Sequence, residues 1–274
     1  MKILCVDGHN FLHRSRSGFQ MGSHYVAYNF FRGLKALVEQ HKPTRVYFVL
    51  EGTPRARYAL MPEYKANRIV EPGSKKAAEM DVFHAQKDEI LRLVSQHVPI
   101  SLIRHSDFEG DDVVYNLIRN ATTACEWTVV SNDTDFIQLL NEFNNVRLYN
   151  PMKKTYVETP SYDYVTYKSL KGDGSDNIPG IPGIGEKTAL KLVNDPDALR
   201  LLFEDQTKAD HFIRNHTLIR FHQWSEEAGK LMQSSSPVCD WDAVKKQFDG
   251  WGFKSMTCEP YWTKFLKTFD PLWG

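Results

Sequence analysis

The stretch LKGDGSDNIPGIPGIGEKTALKLV, residues 170–193, combines two features that oppose each other electrostatically. Its second half, GIPGIGEKTALKLV (180–193), is a glycine- and proline-rich turn leading into a helix, an arrangement that presents backbone N–H groups to a phosphate. Its first half, GDGSDN (172–177), carries Asp173 and Asp176, whose carboxylates repel a phosphate. These acids are three residues apart, so one helical turn would point both in the same direction. The rest of the sequence has to explain why a phosphate-binding turn lies beside a pair of acids.

The composition predicts a packed globular protein in the cytoplasm. The chain has 274 residues, 42% of them hydrophobic and 25% charged, which suits one large domain or a main domain with a smaller companion. It has no apolar run of 18 residues, and its first ten residues, MKILCVDGHN, become polar too soon for a signal peptide. The four cysteines are far apart and lack the spacing of a zinc site, so we expect reduced thiols and no membrane partner.

The formal net charge is zero, but the charges are segregated along the chain. Residues 42–76, the basic zone, contain eight lysines and arginines against three acids. Residues 107–135, the acidic zone, contain seven acids against Arg119 alone. A zero sum therefore does not exclude a nucleic-acid partner.

Short apolar runs alternate with helical patterns in the first 150 residues. This alternation predicts an α/β fold with a mostly parallel sheet covered on both faces. The predicted strands are 2–6, 45–50, 99–104, 127–131 and 146–150, and the predicted helices are Tyr25–Gln40, about Ala77–His97 and Glu109–Asn120.

After about residue 160 the pattern is almost purely helical. The predicted helices are Tyr162–Leu170, Lys187–Val193, Asp197–Glu204 and Ala209–Met232. The aromatic end, from Phe248 onward, shows no clear period, and we expect a tail that packs its Trp and Phe side chains onto the body.

Acidic residues follow the predicted strands where ligands collect in parallel sheets. Taken singly, each acid has an ordinary explanation as a cap, a turn residue or a partner of the helix dipole. Together they would crowd one edge, where two carboxylates about 4 Å apart repel each other by about 4 kcal/mol at an effective dielectric constant of about 20. Oxygen ligands without Cys or His favour a hard divalent cation, Mg²⁺ or Mn²⁺. The crowded acids are Asp7, Glu51, Asp133 and Asp135 after strands, and Glu109, Asp111 and Asp112 at the start of a helix.

Five segments, in order along the chain, resemble the 5′-nuclease, or flap endonuclease, superfamily. They are VDGHNFLHR (6–14), PEYKANR (62–68), FEGDDVV (108–114), VVSNDTDFIQLL (129–140) and residues 172–193. Bacteriophage 5′-3′ exonucleases and the 5′-nuclease domain of bacterial DNA polymerases resemble the chain most. The resemblance implies a PIN-like α/β catalytic domain over 1–160, with a helical arch at about 63–97. It also implies a helical DNA-binding region over 161–274, with a helix–three-turn–helix at about 172–194 and the C-terminal tail.

The resemblance also implies a role for each matched residue. Glu51 stands where the family usually has Asp, and its longer side chain can still reach a metal directly or through water. The implied metal ligands are Asp7, Glu51, Glu109, Asp111, Asp112, Asp133, Asp135, Asp173 and Asp176. Lys65 and Arg68 correspond to the catalytic basic pair, Tyr64 to a residue that stacks on a base, and Arg14 to a basic residue near the scissile phosphate. Gly183, Gly185, Lys187 and Thr188 would grip the duplex backbone, where the family holds a potassium ion.

The implied function is a structure-specific 5′ nuclease that cuts DNA at 5′ flaps, nicks or ends with two Mg²⁺ ions, for which Mn²⁺ substitutes. We expect a monomer, and the sequence identifies no replication protein as its partner. Two alternatives stay open: a nuclease of the same fold acting mainly on RNA–DNA hybrids, and a non-catalytic junction-binding protein. The second should have lost acids, and the chain retains them.

Overall fold

The apolar runs of the first half form a central sheet in the computed structural model, which describes residues 1–20, 22–68, 73–121 and 124–272. Within these residues the strands are β1 (Lys2–Asp7), β2 (Arg45–Leu50), β3 (Ser101–Arg104), β4 (Glu126–Val130), β5 (Val146–Asn150), β6 (Thr155–Tyr156), β7 (Gly172–Asp173), β8 (Ile178–Pro179) and β9 (Gln233–Ser234). The large sheet has the order β6-β5-β4-β1-β2-β3-β9, with five parallel strands inside and antiparallel β6 and β9 at its edges. The predicted mostly parallel sheet is confirmed.

Helices cover both faces of this sheet and form the second half of the described chain. They are α1 (Gly8–Ser15), α2 (Tyr25–His41), α3 (Arg55–Leu60), α4 (Lys75–His97), α5 (Gly110–Arg119), α6 (Ile137–Glu142), α7 (Tyr164–Lys171), α8 (Glu186–Val193), α9 (Pro196–Leu202), α10 (Gln206–Ile219), α11 (Glu226–Gly229), α12 (Trp241–Gly250), α13 (Lys254–Thr257) and α14 (Tyr261–Phe269). Within the predicted arch, the chain makes a 3-10 turn at Ala66–Arg68 and then α4, and residues 69–72 lie outside the described residues. No helix of the described chain is long and apolar enough to span a membrane.

Alternating side chains of the strands build two separate cores. Leu4, Val6 and Phe48 belong to the core shared with α2, α4 and the last three helices. Ile3 and Val49 belong to the other core, shared with α5 and α6. The register places β1 between β2 and β4, with Asp7 opposite Val49 and Val6 opposite Val130. The carboxyl ends of these three strands therefore meet at one edge, where the sequence predicted the acids to converge.

The helix predicted over 209–232 is wrong beyond Ile219, where α10 ends. Three backbone N–H groups beyond α10 donate to side chains of the α/β body: Phe221 to Gln138, His222 to Asp112 and Trp224 to Asn116. The Phe221 ring is buried in the core under α5 and α6. Because these acceptors replace helical carbonyls, the chain leaves the helix here and crosses back onto the body.

The aromatic C-terminal segment is helical, which its sequence did not indicate. Trp262, Phe265 and Phe269 are spaced by three and four residues along α14 and are all buried. They join the core that contains α2, so the predicted packing onto the body is confirmed.

Gly172, near the start of residues 170–193, adopts a backbone conformation that requires glycine. Its φ is +80° and ψ is 177°, a conformation almost restricted to glycine, and an added Cβ would lie 2.3 Å from the Gly180 nitrogen. We expect Gly172→Ala to lower the free energy of unfolding by about 1–3 kcal/mol or more. Chemical denaturation measures this loss. Gly174→Ala is the matched control, because nothing lies within 4 Å of its added Cβ, and equal stability of the two variants would contradict the prediction.

Candidate active site

The carboxyl edge of the sheet is organised by a serine that follows β4. Ser131 Oγ donates a hydrogen bond of 2.7 Å to Asp7 Oδ2, and Asp133 N donates one of 2.9 Å to Ser131 Oγ. Asp133 in turn accepts a bond from Asp135 N, as the cap of a short 3-10 turn. Burial, and to a lesser extent the charge of Asp133, raises the pKa of Asp7 to about 6. The ends of β1 and β4 thus hold neighbouring acids in a fixed network.

Six of the nine predicted metal ligands form two groups of three. We call Glu109, Asp111 and Asp112 the first triad, and Asp135, Asp173 and Asp176 the second triad. In each triad, one carboxylate oxygen from every member lies within 4.8 Å of the others. Opposite oxygens around an octahedral Mg²⁺ are about 4.2 Å apart, from a metal–oxygen distance of about 2.1 Å. The all-carboxylate donor sets therefore fit hard divalent cations.

Glu51 lies beside the first triad. Its carboxylate accepts a hydrogen bond of 2.9 Å from Gly110 N, between Glu109 and Asp111. The residue is exposed to solvent, but neighbouring protein atoms crowd its carboxylate and desolvate it. This desolvation, with smaller contributions from the charges of Asp7 and Glu109, raises the pKa of Glu51 to about 7.

Lys65 and Arg68 bring positive charge from the basic zone to both triads. Lys65 Nζ pairs with Glu109 of the first triad and lies 3.6 Å from Asp176 of the second. Arg68 pairs with Asp176 through Nη2. Burial alone would lower the pKa of Lys65, but the charges of Glu109 and Asp176 raise it well above its ordinary value. Lys65 adopts a left-handed backbone, φ 56°, in which its N–H donates to the Asp176 carbonyl at 3.0 Å.

Tyr64 does not fit the base-stacking role that the resemblance implied. Its side chain is buried, with the residue only 3% exposed, so its ring offers no free face to a base. Its hydroxyl lies 2.9 Å from both Glu109 Oε2 and Asp176 Oδ2. Tyr64 is therefore a second link between the triads.

Lys168 is a site residue that the sequence analysis missed. Its Nζ lies 2.5 Å from Asp135 Oδ1 and also pairs with Asp173 of the second triad. Burial raises the pKa of Asp135 to about 7, whereas Lys168 lowers that of Asp173 against the effect of burial. The sequence indicates this role only weakly, because Lys168 is one of two lysines in α7 and lies five residues before Asp173.

Arg57 was also missed, although it lies in the basic zone. The Arg57 guanidinium donates to both oxygens of Asp112, at 2.5 and 2.9 Å, and lies 2.9 Å from Glu109 Oε2. Arg57 Nε also donates to the Leu218 carbonyl at 2.8 Å. One arginine thus joins the first triad to the end of α10.

Apart from Tyr64, the predicted substrate-binding residues, Arg14, Gly183, Gly185, Lys187 and Thr188, lie away from the triads. Among the described residues, no hydrogen bond or ion pair joins them to the acids. Arg14 is half-buried on α1, with its guanidinium carbon 4.8 Å from the centre of the Phe11 ring. Gly183 has φ +82°, whereas Gly185 is extended, φ −88°, at the cap of α8. Both glycines and the first turn of α8, with Lys187 and Thr188, are exposed.

Comparison with known families agrees with this fold. The family model described as "5′-3′ exonuclease, N-terminal resolvase-like domain" matches residues 2–168, and "5′-3′ exonuclease, C-terminal SAM fold" matches residues 159–234. The two together define a mostly parallel sheet domain followed by a helical one. The chain belongs to the 5′-3′ exonuclease family.

Its relatives include free-standing exonucleases and parts of polymerases. The chain is 29% identical to a 5′-3′ exonuclease of Bacillus subtilis over 74% of its length and 73% of the relative's. It is 30% identical to DNA polymerase I of the same organism, over 74% of its own length and 24% of the polymerase's. The chain thus spans about a quarter of the polymerases that it matches.

Two solved structures share the fold. A bacteriophage T5 flap endonuclease, in a pseudo-enzyme-product complex with DNA and metal ions, superposes over the full length of both chains with a TM-score of 0.66 at 14% identity. The catalytic core of Rad2, in complex with DNA substrate, superposes over 99% of this chain and 92% of that one with a TM-score of 0.55 at 14% identity.

The raised pKa of Glu51 predicts how pH affects stability. Because its folded pKa, about 7, exceeds the ordinary value, the folded state holds a proton that the unfolded state has lost between about pH 4.3 and 7. Stability from this group therefore falls as pH rises through that window. In EDTA, we expect Glu51→Gln to match the wild-type Tm near pH 4 and to exceed it at pH 8.

Calorimetry across this pH range measures the difference, and Glu158→Gln, at an exposed position, is the control. A Glu51→Gln protein with a lower Tm than the wild type at pH 8 would show that the Glu51 charge is stabilising.

Proposed function

We propose that the protein is a structure-specific 5′ nuclease that hydrolyses phosphodiester bonds near the 5′ end of branched or nicked DNA. The observation that carries this proposal is the bridging of two carboxylate triads by Lys65 and Tyr64. A nuclease acting through two metal ions needs two adjacent ligand sets and a cation directed at the phosphate between them. Membership of the 5′-3′ exonuclease family supports the same activity.

The two triads, with Asp7, Glu51 and Asp133 beside them, are proposed to surround two Mg²⁺ ions, for which Mn²⁺ substitutes. Such ions lower the pKa of a bound water and stabilise the leaving oxygen. The chain's own contribution is to hold the carboxylates in place. Gly110 N restrains Glu51, Ser131 restrains Asp7, and Lys168 restrains Asp135 and Asp173. A T5 5′-exonuclease structure contains divalent metal ions (zinc), and the T5 flap endonuclease complex contains metal ions, which supports a metal site in this fold.

Lys65 and Arg68 are proposed to neutralise the charge that develops on the phosphoryl oxygens. Each already pairs with a triad carboxylate, so each stands at the edge of the proposed ion sites. A preorganised cation at this point stabilises the transition state more than the ground state. Arg14 is proposed to contact a phosphate of the same strand.

The exposed turn before α8 is proposed to hold the duplex backbone. Gly183 and Gly185, with Lys187 and Thr188, can present N–H groups and side chains to a phosphate at the start of α8. A potassium ion held by carbonyl groups of this turn is part of the same proposal. We also propose that the protein is a monomer. It would divide at residue 160 into a catalytic part and a DNA-binding part. Cleavage of RNA–DNA hybrids is the second candidate, because a site that reads phosphates tolerates either sugar.

The activity is tested with a 5′-labelled flap substrate and its product lengths. We expect cleavage in Mg²⁺ or Mn²⁺ and none in excess EDTA. Asp133→Asn with Asp135→Asn should abolish cleavage and keep or tighten junction binding, because less negative charge faces the phosphates. Asp242→Asn, at an exposed position on α12, is the control.

Full activity in EDTA, or wild-type cleavage by the double variant, would overturn the proposal. A matched flap with an RNA 5′ strand, cut faster than the DNA flap, would favour the second candidate. Binding without any cleavage would favour the junction-binding protein.

Lys65 is expected to act on chemistry rather than binding. Lys65→Ala should slow single-turnover cleavage about 10²–10³-fold with little change in junction affinity measured in Ca²⁺. If Lys65 only anchored a phosphate, Lys65→Ala would instead weaken junction binding. The slope of the logarithm of affinity against the logarithm of salt concentration would then fall in magnitude by about one. Lys153→Ala removes an exposed lysine and serves as the control. An unchanged single-turnover rate at saturating enzyme would exclude the catalytic role.

A further inference from the structure

Arg57 is the most completely bonded charged side chain near the first triad. Its residue is 3% exposed, and its guanidinium contacts two acids and two backbone carbonyls. The acids are Asp112, bound at 2.5 and 2.9 Å, and Glu109, at 2.9 Å. The carbonyls are those of Leu218, at 2.8 Å, and Arg220, at 3.2 Å, where α10 ends.

Asp112 differs from the other two members of its triad because each of its oxygens accepts a hydrogen bond from Arg57 and another from a backbone N–H. It is fully buried, and Oδ2 accepts from Arg57 and from Glu109 N, at 3.3 Å. Oδ1 accepts from Arg57 and from His222 N, at 2.7 Å. A metal ion could bind Asp112 only by breaking charge-assisted bonds inside the protein. The metal-ligand role predicted for Asp112 from the sequence conflicts with this geometry.

We propose that Arg57 is a positioning residue, which holds Asp112 as its buried counter-ion and sets the orientation of Glu109. The proposal rests on the two-metal function proposed above. Glu109 Oε2 contacts Arg57 and Tyr64, and Glu109 Oε1 contacts Lys65. Arg57 and Lys65 thus hold different oxygens of the same carboxylate. Residues that restrain a ligand in this way change metal affinity about 10–100-fold when removed.

The same contacts join the acids to the helical region. Arg57 belongs to α3, which begins four residues after Glu51, and its carbonyl partners belong to the segment where the chain leaves α10. His222 N adds a second bond from this segment to Asp112. A displacement of α10 would therefore be transmitted to Glu109 through one buried arginine.

Replacing Arg57 alone leaves Asp112 buried and unpaired, so that variant risks unfolding. The main test therefore uses the double variant Arg57→Met with Asp112→Leu, which removes both charges and retains most of the volume. Arg55→Met is the control, because Arg55 lies two residues away, is exposed, and pairs with Asp107, which belongs to neither triad. Three quantities are compared: Tm, Mn²⁺ binding by calorimetry, and the Mg²⁺ concentration that gives half-maximal single-turnover flap cleavage.

We expect the double variant to fold, to keep both Mn²⁺ ions, and to bind one of them at least about tenfold more weakly than the wild type. The half-maximal Mg²⁺ concentration should rise by the same factor. The Asp111→Asn variant is compared with the double variant, because loss of a direct metal ligand should lower the number of bound Mn²⁺ ions by one.

A double variant with a lowered Tm but wild-type Mn²⁺ affinity would overturn the proposal and leave Arg57 a purely structural residue. A single Asp112→Asn variant that loses one Mn²⁺ ion, as Asp111→Asn does, would overturn it by showing that Asp112 is a ligand. The calorimetry is independent of cleavage, so a wild-type protein that binds Mn²⁺ but cuts no flap would refute the proposed function, while the comparison of Mn²⁺ affinities would still decide the role of Arg57.

Discussion

Carboxylates repel one another, and the parallel sheet forces several of them onto a single edge because β1, β2 and β4 end there. Four cations pair with members of the two triads and offset part of this repulsion. Arg57, Lys65 and Arg68 arrive from the basic zone, and Lys168 comes from α7. Burial, with smaller contributions from the charges of neighbouring acids, still raises the pKa values of Asp7, Glu51 and Asp135 to about 6 or 7. Nine carboxylates against four cations leave an excess of negative charge that a hard divalent cation would neutralise.

The acids and the phosphate-binding turn within residues 170–193 face different directions, and this separation removes their electrostatic conflict. Asp173 and Asp176 point into the body, where both are buried and paired with Lys168 and Arg68. The short β7–β8 pairing then reverses the chain, and most of residues 182–188 face solvent. Because Gly172 provides the backbone conformation that allows the reversal, the acids and the phosphate-binding turn can serve different phosphates without opposing each other.

Much of the fold could be predicted from local patterns in the sequence. The acids that form the two triads could be identified in the same way. Apolar alternation located the five parallel strands, and the strand-end rule located Asp7, Glu51 and Asp133. Contacts between distant segments could not be predicted in the same way. The end of α10 depends on acceptors from α5 and α6, and the role of Tyr64 depends on acids 45 and 112 residues away. Arg57 and Lys168 were indistinguishable from solvated basic residues, because only the tertiary fold buries them beside carboxylates.

The boundary of the family match is not a boundary of folding. Residues beyond 234 lie outside both matched regions, yet Phe248, Phe265 and Phe269 are fully or almost fully buried in the core that contains Leu4, Val6 and Phe48. Burying one large aromatic side chain contributes roughly 1.5–3 kcal/mol, which is a substantial part of the stability of a typical domain. These helices pack on α2, α2 packs on α1, and α1 follows directly from Asp7. The rigidity of the acidic edge therefore depends on a C-terminal segment that, within the described residues, forms no hydrogen bond or ion pair with the acids. We expect truncation of this segment to loosen the site.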